Sequence, residues 1–166
     1  MDEALKLRMA AMRERAARRA HEAGFAAMVR MVPILGALEG AGVDYSSHDY
    51  GYLQGPFNAW AHAPDDWPFI VSSYHNIPAT APTRNALILA EVKRLAGSDG
   101  PVTIILRRES LVLVLAVSVL AKHLTILIDN AGSGEVGFVA PPDDWIIEVN
   151  DRGIAVGKVT ERIGDT

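Results

Sequence analysis

The chain has 166 residues, of which 49% are hydrophobic and 22% charged, enough to bury one ordinary core and too apolar for a disordered chain. It has no cysteine, which excludes a disulfide framework, a thiolate metal site and a cysteine nucleophile. The net charge of −4 hides an asymmetry: residues 1–30 hold seven Lys and Arg against four acids, and residues 31–166 hold nine against sixteen.

In chain order, residues 2–22 read as an amphipathic helix with Leu5, Met9, Met12 and Ala16 at helical spacing on one face. Lys6, Arg8, Arg13, Arg15, Arg18 and Arg19 crowd the same segment, with Glu14 and Arg18 spaced for an i,i+4 pair. The basic stretch 6–19 makes nucleic acid a secondary candidate partner, but no aromatic side chain is interleaved for base stacking, so a solvated face is expected. Arg30 interrupts the apolar stretch that follows, which argues against a signal peptide. Gly24 and Pro33 break the pattern, giving a second helix within 25–41 that ends at Gly40 and Gly42.

VDYSSHDY at 43–50 alternates as a strand, and FNAWAHA and PFIVSSY read as two more, separated from their neighbours by Gly55-Pro56 and by PDDW at 64–67. A helix over 84–96 is framed by Thr83 as N-cap and Gly97 as terminator. VTIIL at 102–106 is a buried strand. The valine-rich segment 109–123 fits strand or buried helix; helix is favoured, because a strand would run into LTILID at 124–129 without a turn. GEVGFVA and WIIEVN are strands, and the latter opens a hairpin through Asp151, Arg152 and Gly153. The longest apolar run, residues 111–121, falls short of the about 20 needed to cross a bilayer, so a soluble, cytoplasmic protein is expected.

PDDW recurs at 142–145, and the order of helix, strand, glycine turn, strand, PDDW, strand is shared by both halves. The second copy has no histidine or tyrosine within ten residues, so PDDW reads as a turn in the scaffold, with proline fixing φ and aspartates capping turn amides. The expected fold is one α+β domain over 1–166 with an antiparallel or mixed sheet. An N-terminal helix (1–23) packs on the sheet, and residues 24–80 and 81–166 form two candidate related helix-plus-meander halves.

The chemistry-bearing residues concentrate between Tyr45 and His75. Tyr45, Tyr50, Tyr52 and Tyr74 lie there, with His48, His62, His75, Trp60 and Trp67. His48, His62 and His75 could ligate a hydrolytic metal with Asp49 or Asp65 as base, although a strand would point His48 and Asp49 to opposite faces. SYHNIPATAPTRN at 73–85 resembles the metal segment of JAMM-type and RadC-like proteins at His75, Pro78, Pro82 and Thr83. Ile77 stands where that pattern has its second zinc histidine and Asn85 where it has an aspartate, so the resemblance implies no activity. Asp65 with Glu91 and Lys93 mimics a metal-dependent nuclease motif, but on a helix Glu91 and Lys93 diverge by about 200°. No serine sits in a nucleophile elbow and neither glycine-rich turn is a phosphate loop.

Two functions are therefore carried forward. The first is a non-enzymatic protein-binding or assembly module, with the segment 45–75 as contact surface, Tyr50, Tyr52, Phe57 and Trp60 as anchors, and the N-terminal helix able to pair with a second copy. The second is a metal-assisted hydrolase at His48, His62 and His75. No cofactor is expected.

Overall fold

The computed structural model describes residues 3–62, 69–75, 81–131, 136–150 and 153–159, with only the backbone described over 69–75 and at residue 81. It is a single-sheet α+β fold. The strands are β1 (Ser46–His48), β2 (Phe69–His75), β3 (Pro101–Leu106), β4 (Leu111–Ala116), β5 (Val136–Val139), β6 (Trp145–Asn150) and β7 (Gly153–Val159). Their order across the sheet is β1-β4-β3-β5-β6-β7-β2, and every pairing among the described residues is antiparallel.

Helix α1 (Glu3–Val29) runs through Gly24, where the expected break does not occur, because the lone glycine is exposed and flanked by strong helix formers. Helix α2 (Pro33–Gly40) starts at Pro33, whose missing N–H costs nothing in a first turn. It ends in a Schellman arrangement: Gly42, at φ 67°, donates to Glu39 O, and Val43 N donates to Leu38 O at 3.0 Å. Helix α4 (Ala81–Ala96) closes at Gly97 as read from sequence, but starts before Thr83, which lies inside its first turn.

Two segments take the opposite structure from that expected. FNAWAHA is not a strand but most of helix α3 (Pro56–His62), which buries Phe57, Trp60 and Ala61 at i, i+3 and i+4. Residues 109–123 contain strand β4 followed without a loop by helix α5 (Val117–Asn130), which absorbs LTILID as well. The junction works because Ala116 is still extended (φ −73°, ψ 146°), and Val117 N is satisfied by Gly100 O at 3.0 Å. Val117, Leu120, Leu124, Leu127 and Ile128 then line one helical face.

These changes remove the shared order of elements on which the two related halves rested: the segment matched to the strand GEVGFVA is a helix, and that matched to the strand VDYSSHDY is α5. The second PDDW is a turn leading into β6, with Asp143 N bonded to Ala140 O and Asp144 paired with Lys158 at 3.1 Å. The first copy lies outside the described residues, as does the hairpin pair Asp151 and Arg152. What the first half contributes to the sheet is its two edges, β1 and β2.

That placement fixes the layering. The chain between β1 and β2 must travel from one edge of a seven-stranded sheet to the other, a span of about 29 Å at 4.8 Å per strand. Residues 50–62 cover one sheet face on the way, packing Tyr50, Leu53, Phe57 and Trp60 on Ile105, Val112, Val139 and Ile146. The other face, carrying Ile104, Leu113, Phe138 and Ile147, is covered by α2, α4 and α5. Helices α4 and α5 are cross-linked by Asn85 Nδ2 donating to Thr125 Oγ1 (3.0 Å) and by the pair Arg84–Asp129 (3.5 Å).

Trp60 can approach the sheet because β5 carries glycine there. A Cβ on Gly137 would lie 2.8 Å from Trp60 Cη2, 2.9 Å from Cζ3 and 3.1 Å from Ile146 Cδ1. Gly137→Ala should therefore destabilise the fold by about 1–3 kcal/mol. In urea unfolding the midpoint falls with the slope unchanged. Because the clash is with one ring, the losses of Gly137→Ala and Trp60→Phe should sum to more than the loss of the double variant.

Candidate functional site

Of the four anchors expected in the aromatic segment, three are interior. Tyr50 (8% exposed), Phe57 (6%) and Trp60 (1%) belong to the core and present little surface. The reason is the crossing just described, which presses residues 50–62 onto the sheet. Asp49 caps a 3-10 turn at Tyr50–Tyr52, its Oδ1 accepting from Gly51 N at 2.9 Å. Tyr50 then points inward, its hydroxyl donating to the carbonyls of Leu106 (3.3 Å) and Arg107 (3.2 Å) at the end of β3. Burial pushes this phenol up to about 12. Only Tyr52, 46% exposed, remains outside, stacked on His48 at 4.1 Å between ring centroids.

The histidines are separately engaged. His48 Nε2 meets Ser46 Oγ at 3.0 Å, and His62 lies edge-on to Tyr50 at 5.1 Å. Asp49 is taken by His21 of α1, and this hydrogen bond, ahead of its contact with Gly51 N, holds its carboxyl below the ordinary range. His75 ends β2 in register with Ile154; its side chain, like Asp65, lies outside the described set. Among the described residues no three His, Asp or Glu side chains are grouped to hold a metal ion. Of the JAMM-like pattern, Pro82 and Thr83 are exposed and Asn85 is bonded to α5, while Ile77 and Pro78 are not described. Glu91 pairs with Arg94 at 2.8 Å on α4, and the nuclease geometry is absent there.

A polar network that sequence reasoning missed lies under Trp60. Glu148, 8% exposed, faces α3 from the middle of β6; its Oε1 accepts from Asn150 Nδ2 at 3.1 Å, and the Trp60 side chain hydrogen-bonds to it. The Arg107 guanidinium stands 5.1 Å over the Trp60 ring and contributes a favourable charge. Burial outweighs these three partners and raises the Glu148 carboxyl above its ordinary 4.5. The signal was present in WIIEVN: with Trp145, Ile147 and Val149 on one face, Glu148 follows Ile146 onto the other, which would be exposed unless something covered it. The network clamps the crossing segment to the sheet.

Among the described residues α1 is largely exposed. Residues 3–24 are exposed throughout, and among the described residues of α1 Phe25, Met28 and Val29 pack against the core. The N-terminal helix thus extends from the body and does not lie on the sheet as expected. At 100° per residue, Leu5, Met9, Met12 and Ala16 fall within about 60° of one another and about 180° from the face of Phe25, Met28 and Val29. His21, which holds Asp49, is on the anchored side. Leu5 is 48% exposed, Met9 41% and Met12 70%. Arg8, Arg15 and Arg19 border this stripe on one side, Lys6 and Arg13 on the other. Lys6 pairs with Glu3 at 2.8 Å; among the described residues the arginines make no ion pair, and the expected Glu14–Arg18 contact is not formed.

Among the described residues no single helix is long and apolar enough to cross a membrane. Compared with models of protein families, with curated proteins and with solved structures, the chain matches none.

The buried carboxyl gives a pH signature. A raised folded-state value means that Glu148 adds stability in its protonated form, fully present below 4.5 and lost as pH rises through the folded value. Glu148→Gln keeps an acceptor for Asn150 and Trp60 but cannot ionise. Its melting temperature relative to the parent should rise with pH above 4.5 and then level off. Glu109, also raised by burial, is common to both proteins and cancels. Parallel melting curves across this range would show that Glu148 does not titrate with folding.

Proposed function

We propose that this chain is a protein-binding and assembly module whose contact surface is the outward stripe of α1, in place of the segment 45–75. The observation that carries this reading is the direction of the stripe: Leu5, Met9, Met12 and Ala16 lie opposite the side of α1 that Phe25, Met28, Val29 and His21 attach to the body. A helix gains most of its stability in water by packing an apolar face, and residues 3–24 of this one are exposed among the described residues. Methionine suits the role, since its unbranched thioether side chain adapts to an irregular partner surface. Pairing of α1 with a second copy is the self-association that needs no further component.

Light scattering of the full chain during gel filtration tests this directly. The parent should elute as a concentration-dependent oligomer. Met9→Glu/Met12→Glu, which changes only exposed positions, should be monomeric with an unaltered melting temperature of the body. A parent protein that stays monomeric at about 100 µM, or a variant that still oligomerises, would overturn self-assembly through this stripe.

A further inference from the structure

Two copies of α1 laid stripe to stripe would bring like charges together. Lys6 and Arg13 line one side and Arg8, Arg15 and Arg19 the other, so either parallel or antiparallel pairing sets basic residues against basic residues along the seam. The stripe requires an apolar floor with an acidic rim. The body carries an open groove of about 420 Å³ between the C-terminal end of α4, whose Arg94 is paired with Glu91 and whose Lys93 is exposed, and the turn before β6. Leu95, Ala96, Pro101, Pro141 and Pro142 line it, together with Asp143. Asp99 is exposed in the turn that joins the lining residues Ala96 and Pro101. No basic side chain pairs with Asp99 or Asp143 among the described residues, whereas neighbouring Asp144 is held by Lys158.

We infer that α1 of one copy seats in this groove of a second copy, with Met9 and Met12 on the proline-lined floor and the flanking arginines against Asp99 and Asp143. This deepens the assembly reading and rests on it. Charge complementarity selects the occupant: residues 1–30 carry an excess of three positive charges (7 − 4) and the rest of the chain an excess of seven negative ones (9 − 16). The exposed arm, about 33 Å long over residues 3–24, has the reach to leave its own body and cross to another. Reciprocal seating makes a closed dimer with two identical arm-to-groove contacts.

Complementation separates this arrangement from helix-to-helix pairing. One variant, Met9→Glu/Met12→Glu, has a defective arm and an intact groove; the other, Asp99→Lys/Asp143→Lys, has the reverse. Each alone should be monomeric by light scattering. Mixed in equal amounts they should form a one-to-one dimer through the single remaining arm-to-groove contact, at least about tenfold weaker than the parent dimer because one of two linked contacts is gone. Raising salt from 0.1 to 0.5 M should weaken both dimers. If the arm variant is monomeric but the groove variant still dimerises like the parent, the groove assignment is wrong and the assembly reading stands. If both are monomeric and their mixture does not associate, the arm-to-groove contact is likewise overturned. If the arm variant still oligomerises, both fail. Should the lysine variant not fold, as judged by circular dichroism, Asp99→Asn/Asp143→Asn makes the same test by loss of charge alone.

Discussion

The fold depends on the contact between Trp60 and the glycine of β5. The segment leaving the edge strand β1 has to cross the sheet to reach the opposite edge at β2, and it can do so closely only where a strand offers no side chain. Gly137 provides that place. Glu148, on the neighbouring strand in register with Gly137, then finds its donors in the covering layer and beside it, and Arg107 caps the ring from the β3–β4 turn. A face that would otherwise be half solvated becomes a second core, which takes in Tyr50, Leu53, Phe57 and Trp60.

This arrangement accounts for the fate of the most conspicuous residues. Tyr50, Phe57 and Trp60 have the composition of an interaction hot spot, yet the same large apolar area that suits a partner suits a sheet face equally well. His48 and His62 accompany them as ring partners of Tyr52 and Tyr50. With Tyr50, Phe57 and Trp60 folded inward, the apolar side chains left exposed among the described residues include Leu5, Leu7, Met9 and Met12 of α1, which the sequence marks as an amphipathic and basic helix. Its two ends have different tasks: Phe25, Met28, Val29 and His21 fasten it to the body, and the residues before them project.

Much of the architecture was legible. The strands PFIVSSY, VTIIL, GEVGFVA and WIIEVN, the hairpin that follows and the helix ending at Gly97 are where alternation and terminators put them. The departures have local causes. In FNAWAHA the spacing of Phe57, Trp60 and Ala61 was helical, but aromatic content between turn residues suggested a strand. At 109–123 strand and helix abut with no loop, so neither period runs the whole length, and Val117 N at the junction bonds to Gly100 O across the sheet end.

Sequence by itself determined the class of the fold, the absence of thiol chemistry and the charge contrast between arm and body, because these follow from composition and from short-range periodicity. Tertiary structure alone decided which aromatic residues face water and which faces of the strands are buried. It also decided that Glu148 lies in a closed network and that the stripe on α1 points outward. Each of these depends on which strand becomes an edge, and that is set by pairing between residues far apart in the chain: β1 with β4, and β2 with β7. Local sequence holds no record of such pairings, since the same alternating strand can serve at the centre of a sheet or at its border.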